Sequence, residues 1–231
     1  MHEGGVAPVL TLVVATGNRH KLTEIRAILR GLPLEVLGVS EVLAPPHVEE
    51  DGDTFVANAQ KKARTIATAS RHLTLADDSG LEVDALGGRP GVRSARYAGE
   101  RASDADNCAH LLGELREVGE LGRAARFRCA LVLVDPWGVA GSNEHVVEGT
   151  CEGRIAMAPS GSCGFGYDPL FVVAGAGDGG APCTMAELSD EAKNAISHRG
   201  QALAALRPIL ESLVLARLAT SREALQLGRT V

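Results

Sequence analysis

Two adjacent acids follow a short apolar run in the first half of the chain. Residues 73–76 indicate a buried strand, which we expect to end before Asp77. Asp77 and Asp78 are followed in the chain by Ser79 and Gly80. Open α/β sheets bind ligands beyond the carboxyl ends of their strands, and neighbouring strand residues point to opposite faces. One acid can therefore face a metal ion while the other orients the backbone. A simple turn could hold the same residues, but a charge pair beside a buried strand is costly unless it has partners, which favours a functional site.

A polar segment that links a strand to a helix is the second candidate site. Residues 10–15 (LTLVVA) indicate a buried strand, and apolar residues recur at helical spacing from Leu22 onward. The start of a helix offers unpaired backbone N–H groups and the positive end of the helix dipole, and both favour phosphate. The spacing of a Walker A loop is absent, so an ordinary turn is the alternative. The segment consists of Thr16, Gly17, Asn18, Arg19, His20 and Lys21.

Two further loops carry acids or aromatic rings. The acids of residues 49–53 do not follow the ligand pattern of an EF-hand, and by themselves they indicate a solvated loop. Phe165 and Tyr167 lie between glycines in residues 164–169, where they could stack on a base or fill the core. Neither loop alone distinguishes a functional role from a structural one.

The last helical pattern carries several cationic side chains. It begins at Ser189 or Asp190 and has residues 197–199 (SHR) in its middle. Lys193 lies about one turn earlier and is expected on the same face. Such a group is most often a solvated helix face, so this signal is also weak by itself.

The elements that would hold these residues form a mixed α/β chain without internal repeats. The two strands after residue 127 are expected to pair as a hairpin, which could build a smaller second lobe. No linker is long enough to require a domain boundary. We expect strands over residues 10–15, 34–39, 73–76, 127–134, 139–147 and 170–173, and helices from about residue 19, over 54–70, over 103–115 and over the last part of the chain.

The composition is that of an ordinary globular protein. The chain has 231 residues, 45% of them hydrophobic, and a formal net charge of −6. This excludes disorder as the main state, and the acidic balance argues against a protein that coats nucleic acid. No apolar run reaches the roughly 18 residues of a membrane span. The five cysteines are widely spaced without a C-x-x-C pair, which indicates reduced thiols in a cytoplasmic protein and no zinc site.

Seven motifs occur in an order that is typical of one family. Through them, residues 10–206 resemble the Ham1-like inosine triphosphate pyrophosphatases, which hydrolyse non-canonical purine nucleoside triphosphates. Each motif alone is weak, and their common order makes the resemblance specific. The motifs are residues 16–21 (TGNRHK), 50–63 (EDGDTFVANAQKKA), 76–81 (ADDSGL), 85–91 (ALGGRPG), 94–97 (SARY), 164–169 (GFGYDP) and 197–200 (SHRG).

The resemblance implies a fold and a reaction. The fold would be an elongated mixed central sheet flanked by helices, with two lobes and the nucleotide site in the cleft between them. The reaction would be the Mg²⁺-assisted cleavage of ITP, dITP and XTP between the α and β phosphates, giving the monophosphate and pyrophosphate in a homodimeric enzyme. Residues 10–213 would form one pyrophosphatase domain, with residues 1–9 as an N-terminal extension and residues 214–231 as a C-terminal tail.

The resemblance also implies roles for individual residues. Asp78 would be the catalytic residue that accepts the proton of the attacking water, and Glu49 and Asp78 would bind the metal ion. The residues that would contact the substrate are Thr16, Gly17, Asn18, Arg19, His20, Lys21, Lys62, Ser79, Phe165, Gly166, Tyr167, Asp168, Lys193, His198 and Arg199.

The expected mechanism is direct attack by water. Phosphoryl transfer needs positioning and charge neutralisation more than covalent catalysis, and Lys21, Lys62, Lys193 and Mg²⁺ would balance the negative triphosphate. A donor such as the Arg199 guanidinium, or the neighbouring His198, would hydrogen-bond the purine C6 oxygen. With adenine, the same donor would face an amine, which is itself a donor. The two cannot pair, and an unpaired buried donor disfavours binding of the adenine nucleotide.

Two other functions fit parts of the sequence. A Maf-like nucleotide pyrophosphatase has a related fold and acts on other nucleotides, but the intact segments 165–168 and 197–199 argue against it. A non-catalytic nucleotide sensor would most simply have lost a metal-binding acid, whereas Glu49, Asp77 and Asp78 are all present.

Overall fold

Seven strands and six α-helices account for most of the chain in the computed structural model, which describes residues 10–138 and 144–227. The strands are β1 (Leu10–Val14), β2 (Leu34–Gly38), β3 (Leu73–Val83), β4 (Ala124–Val134), β5 (Glu144–Ile155), β6 (Phe171–Val173) and β7 (Cys183–Thr184). The helices are α1 (Arg19–Ile28), α2 (Val39–Val42), α3 (Phe55–Ser70), α4 (Asp104–Glu114), α5 (Asp190–Ile196) and α6 (His198–Leu227).

All seven strands belong to one mixed sheet in the order β2-β1-β3-β4-β5-β6-β7. β1 pairs in parallel with β2 and β3, whereas every neighbouring pair from β3 to β7 is antiparallel. Parallel strands need a crossover between them, and α1 and α3 lie in those crossovers. The expected α/β class with a mixed central sheet is confirmed.

Buried apolar side chains form three clusters that divide the molecule into two lobes. In the first lobe the sheet is covered on both faces. One face packs around Leu75 and Leu131 against α1 and α6, and the other packs around Ala76 and Ala130 against α3. In the second lobe, the far ends of β3, β4 and β5 pack with α4. Residues 77–80 of β3 lie between the two lobes.

β3 is longer than its apolar pattern indicated. It runs over Leu73–Val83, so the expectation that the strand ends before Asp77 is wrong. Asp77 pairs with Leu131 of β4, and Asp78 pairs with Ala130. The pairing with β4 thus extends the strand through both acids, which a hydrophobicity pattern does not register.

The last helical pattern is two helices, which corrects the expectation of one. Between α5 and α6, Ser197 has an extended backbone with φ −67° and ψ 156°. Its Oγ accepts the N–H of Gly200 at 3.0 Å. A Cβ atom at Gly200 would lie 1.8 Å from the carbonyl oxygen of Asn194, so the close approach of the two helices requires glycine. His198 and Arg199 consequently lie at the start of α6 rather than within a helix.

Helices α1, α3 and α4 begin within a residue of their expected starts, whereas the end of β3 and the start of β4 differ from theirs by more. Asn18 caps α1, where its Oδ1 accepts the N–H groups of His20 and Lys21. Ser103 caps α4, at the start of the helix expected over residues 103–115. β4 begins at Ala124, three residues before the expected start, and residues 139–143 of the expected second hairpin strand lie outside the described part.

The expected N-terminal extension and C-terminal tail can be compared with the ends of the described chain. The extension over residues 1–9 lies outside the described part. The tail expected from residue 214 begins inside α6, which continues to Leu227, and Val214 is buried in the core. The limits of the domain therefore stay a prediction. None of the described helices is both long and apolar enough to cross a membrane.

Candidate active site

Asp77 is a buried anion that gathers donors from one face of the sheet. Its carboxylate accepts hydrogen bonds from Lys21 Nζ at 2.5 Å, Arg199 Nε at 2.8 Å, Ser79 Oγ at 2.9 Å and Cys129 Sγ at 3.2 Å. Burial alone would raise the pKa of Asp77, but the positive charges of Arg199 and Lys21 outweigh it and hold the pKa well below its usual range. Asp77 is therefore a permanent negative charge that organises the cations around it.

Asp78 faces the opposite side of the sheet, toward α3. Its carboxylate accepts a hydrogen bond from Lys62 Nζ at 2.8 Å and one from Asn58 Nδ2 at 3.3 Å. Burial is the strongest influence on Asp78 and raises its pKa, although Lys62 opposes the shift. The two acids face opposite sides of the sheet because side chains alternate along a strand. They therefore have different surroundings, as the sequence suggested.

Lys62 joins α3 to the acidic loop before it. Its Nζ donates to the main-chain carbonyl of Asp77 at 2.8 Å and lies 3.4 Å from a carboxylate oxygen of Glu50. Burial alone would lower the pKa of Lys62, but the carboxylates of Asp78 and Glu50 raise it, so the ammonium stays charged. Two carboxylates, those of Asp78 and Glu50, thus converge on one ammonium group.

Glu49 does not take part in this convergence. It lines a neighbouring surface pocket with His47 and Glu100, whereas Glu50 lines the pocket that holds Asp78. The side chain that approaches the paired acids is therefore that of the next residue along the loop. A run of adjacent acids gives no sequence signal to choose between them.

A third charged group lies between α1 and the start of α6. Lys193 Nζ donates to Asp168 at 2.6 Å and lies 2.8 Å from Glu24, and Arg199 Nη1 donates to Glu24 at 2.5 Å. Asp168 also accepts the backbone N–H of Phe165 at 2.9 Å, which fixes the loop over residues 164–168. Our sequence reasoning missed Glu24. The available signal was its position three residues after Lys21, on the same face of α1.

Aromatic rings line a pocket beside these charges. The rings of Phe127, Phe165 and Tyr167 contribute to it, together with His198. Tyr167 is buried, and its hydroxyl donates to the carbonyl of Ser94 at 2.9 Å. Phe165 stacks on the imidazole of His20, with the ring centroids 5.2 Å apart. His20 is thus placed against the aromatic loop, not among the charged groups of the expected phosphate segment.

His198 is a neutral side chain with an unused polar atom. Its ring stacks on Phe127 at a centroid distance of 4.8 Å. Burial, together with the charge of Arg199, holds the pKa of His198 well below its usual range. Its Nδ1 is buried and has no hydrogen-bond partner within the part of the chain that the structure describes. The guanidinium of Arg199, in contrast, is engaged by Asp77, Glu24 and Ser79.

The aromatic pocket continues directly into a charged pocket. Asn18, Lys21, Ser79 and Ala95 line both. The charged pocket holds most of the expected site residues of the first lobe, but Arg19 and His20 do not line it. The side chains and turns that line it include Thr16, Gly17, Asn18, Lys21, Glu50, Lys62, Asp77, Asp78, Ser79 and Arg96.

An aromatic pocket that opens into a charged one suits a ligand with a base at one end and phosphates at the other, because rings stack on bases and lysines attract phosphate. The fold and the site together define an α/β protein that binds nucleotides. The chain belongs to the Ham1 family, whose model matches residues 12–209.

Similar proteins cover nearly all of the chain. It is 53% identical over 196 residues to the dITP/XTP pyrophosphatase of Geobacter sulfurreducens, covering 85% of this chain and 94% of that one. It is 44% identical over 200 residues to the dITP/XTP pyrophosphatase of Bacillus subtilis, covering 87% and 96%. Among solved structures, a HAM1 protein from Coxiella burnetii is 41% identical, with a TM-score of 0.75 and coverage of 88% of this chain and all of the other.

Proposed function

We propose that this protein hydrolyses the non-canonical purine nucleoside triphosphates ITP, dITP and XTP to the monophosphate and pyrophosphate, and so cleanses the nucleotide pool. The observation that carries the proposal is the continuity of the aromatic and charged pockets through Asn18, Lys21, Ser79 and Ala95. The activity named for the relatives from Geobacter sulfurreducens and Bacillus subtilis supports it. The protein is accordingly a hydrolase that acts on phosphoric anhydrides.

The carboxylates of the charged pocket fit Mg²⁺. Within the described residues, no group of three or more His, Cys, Asp or Glu side chains could hold a metal ion alone. Mg²⁺ does not need one, because it usually binds one or two carboxylates together with substrate phosphates and water. Asp78 with Glu50 supplies such a pair beside Lys62, and Glu49 is the alternative second acid. When bound, the ion neutralises phosphate charge and makes water easier to deprotonate.

Asp78 is proposed to accept the proton of the attacking water. Its raised pKa makes its carboxylate a better proton acceptor than an exposed aspartate, and Lys62 and Asn58 hold it in place. The water oxygen forms a bond to the α phosphorus as the bond from that phosphorus to the oxygen bridging the α and β phosphates breaks. Pyrophosphate leaves with the electron pair, and one water proton passes to Asp78.

His198 is proposed to read the base. In the tautomer with its proton on Nδ1, the neutral ring can donate to the C6 oxygen of hypoxanthine or xanthine. The amine of adenine would leave this donor unpaired in a buried pocket, which costs affinity. Arg199 and Lys193 are proposed to hold the pocket in shape through Glu24, Asp77 and Asp168.

The proposal extends to assembly and location. We propose a homodimer in the cytoplasm, with a small nucleotide as substrate and neither nucleic acid nor membrane as partner. Cys108, Cys129, Cys151 and Cys163 carry free thiols, which accords with a reducing compartment.

A substrate panel tests the proposed function. ITP, dITP, XTP, ATP, GTP and pyrimidine triphosphates are incubated with the protein and Mg²⁺, and pyrophosphate and orthophosphate are detected separately. We expect pyrophosphate from ITP, dITP and XTP and little product from the others. Release of the diphosphate with orthophosphate would indicate another reaction class, a preference for pyrimidines would favour a Maf-like enzyme, and binding without hydrolysis would favour a sensor.

A further inference from the structure

The SARY motif, residues 94–97, has no role in the mechanism described so far, yet the structure holds it firmly beside β3. Ser94 Oγ accepts the backbone N–H of Leu81 at 2.8 Å and donates to the carbonyl of Gly91 at 2.6 Å. A Cβ atom at Gly80 would lie 2.4 Å from Ser94 Oγ, so glycine at that position allows the close approach. Ser94 thus holds the segment against Gly80 and Leu81, the two residues of β3 that follow Ser79 of the charged pocket.

Arg96 lies at the end of the charged pocket that is farther from the aromatic rings. It lines this pocket and also the neighbouring surface pocket of His47 and Glu49. It does not line the aromatic pocket, whereas its neighbour Ala95 lines both the aromatic and the charged pockets. A nucleotide with its base between the rings would extend its phosphates from Ala95 toward Arg96.

Arg96 is also the cation of this pocket that is least neutralised by carboxylates. Lys21 is 2.5 Å from Asp77, and Lys62 is 2.8 Å from Asp78. Arg96 instead donates one hydrogen bond, from Nη2 to the main-chain carbonyl of Glu50 at 2.9 Å, and the carboxylate nearest to it is 3.8 Å away, on Glu100. The side chain of Arg96 makes no other hydrogen bond in the described part of the chain, so most of the five N–H donors of its guanidinium have no protein partner there.

We propose that Arg96 binds the terminal phosphates of the substrate and stabilises the pyrophosphate leaving group. This inference rests on the proposed hydrolysis of triphosphates. A guanidinium presents paired donors that match two phosphate oxygens, and it cannot lose its charge. Negative charge grows on pyrophosphate as its bond to the α phosphate breaks, and a fixed cation at that end stabilises the transition state.

Arg96 could act in a different way, by holding the acidic loop through the carbonyl of Glu50. The two roles predict different results. A residue that only positions Glu50 would affect every phosphate ligand that requires Mg²⁺. Replacing a residue that binds the terminal phosphates should weaken the affinity for pyrophosphate and leave the affinity for the monophosphate product, IMP, unchanged.

The decisive measurement is the affinity for the two separate products, which requires no turnover. Pyrophosphate and IMP, each in the presence of Mg²⁺, are titrated by calorimetry into the wild type, R96Q, R96K and the control R93Q. Arg93 is a matched control because it is an exposed neighbour that does not line the charged pocket. One hydrogen bond to a charged group corresponds to about 10- to 150-fold in affinity. We expect R96Q to weaken pyrophosphate binding by about this factor and IMP binding by less than about twofold.

R96K distinguishes the effect of the charge from that of the paired donors, and R93Q is the control. R96K keeps the charge but loses the paired donors, so we expect an intermediate loss for pyrophosphate, and we expect R93Q to behave as the wild type. Unchanged pyrophosphate affinity in R96Q and R96K, or an equal loss for IMP, would overturn the role of Arg96. If wild-type protein binds both products but releases no pyrophosphate from ITP, the proposed function fails, and with it the role of Arg96 toward the leaving group, whereas the affinities of R96Q and R96K still decide whether Arg96 binds pyrophosphate.

Discussion

At the scale of single residues, two neighbouring carboxylates differ in proton affinity because their surroundings differ. Asp77 meets two cations and two neutral donors, and its pKa is held well below the usual range. Asp78 meets one ammonium, and burial raises its pKa. Such a separation of pKa values allows one acid to stay ionised while the other exchanges a proton. The first is suited to structure and the second to catalysis.

Replacing Asp78 by asparagine tests the catalytic assignment. The amide keeps the size of the side chain and an oxygen as a partner for Lys62, but it does not accept a proton from water. We expect Asp78→Asn to lower kcat for ITP by about 10²- to 10⁴-fold, with an unchanged circular dichroism spectrum. Substantial Mg²⁺-dependent activity in the folded variant would refute the assignment.

Replacing Asp77 by asparagine should affect stability and its pH dependence. Arg199 and Lys21 lower the folded-state pKa of Asp77 despite its burial. Its stabilisation is therefore present above the unfolded pKa of about 3.9 and is lost as the pH falls below that value toward the folded pKa. We expect Asp77→Asn to lower the free energy of unfolding by about 3–5 kcal/mol at pH 7.

The test of Asp77 is urea unfolding of both proteins between pH 3 and 7. The difference between wild type and Asp77→Asn should be constant from pH 7 to 5 and shrink by about 1.4 kcal/mol per pH unit below about pH 3.9. Glu117→Gln, an exposed change, is the control and should have little effect. A difference that is independent of pH would mean that the charge of Asp77 does not stabilise the fold.

Base selectivity should depend on His198 more than on Arg199. If Nδ1 of His198 donates to the C6 oxygen, His198→Ala removes a bond that ITP makes and ATP does not. The ratio of kcat/KM for ITP over ATP should fall by about 5- to 150-fold. Arg199→Ala should lower both efficiencies alike, since its guanidinium is engaged by Glu24 and Asp77.

The control for base selectivity is His110→Ala, an exposed histidine next to Tyr97 and outside the aromatic pocket. It should leave the ITP to ATP ratio unchanged. A ratio that falls only in Arg199→Ala would assign base reading to the guanidinium, as the sequence first suggested.

At the scale of elements, Arg123 links helix α4 to the end of β5. Its buried guanidinium donates to the carbonyls of Leu115 at 2.7 Å, Val118 at 2.9 Å and Ala156 at 3.1 Å. The last carbonyls of a helix lack partners within it, and a cation there also interacts favourably with the helix dipole. One side chain thus completes the end of α4 and fixes it to the second lobe.

Arg123→Met should destabilise the fold without changing the site. The variant keeps the apolar length of the side chain but removes the guanidinium donor from all three carbonyls, although that of Leu115 still accepts the N–H of Val118 at 2.9 Å. We expect the free energy of unfolding to fall by about 3 kcal/mol or more in urea titrations. Arg116→Met, on a largely exposed side chain near the same helix end, should change it by less than about 0.5 kcal/mol. Equal stability of the two variants would contradict this role.

At the scale of the whole molecule, the candidate site depends on four separate parts of the chain. α1 supplies Lys21, α3 supplies Lys62, β3 supplies the paired acids, and the start of α6 supplies Arg199. The site therefore forms only when the sheet and both of its helical layers are assembled. Substrate that binds this site should in turn stabilise the whole fold by mass action.

The assembly of the molecule is a prediction at the same scale. The proposed homodimer should have twice the chain mass of 24.0 kDa. Light scattering coupled to size exclusion at micromolar concentration measures this mass directly. A monomer mass under these conditions would contradict the prediction.

The sequence alone determined the features that depend on neighbouring residues. Asn18 and Ser103 cap the helices that follow them, because a cap bonds to backbone groups two or three residues away. The alternation of strands and helices indicated the α/β class, and the ordered motifs indicated the family. These signals are local, or they are a linear order, and both can be read from the chain itself.

The tertiary structure alone decided the features that depend on distant partners. β3 continues through Asp77 because β4 pairs with it, although the two strands are about fifty residues apart in the chain. Glu50 rather than Glu49 approaches Lys62, and Arg96 lines the charged pocket with no carboxylate of the described residues within hydrogen-bond distance of its guanidinium. Residue type does not determine which face, which neighbour or which charge a side chain meets. Packing in three dimensions sets these, and with them the pKa values and the unused hydrogen bonds that give each residue its chemistry.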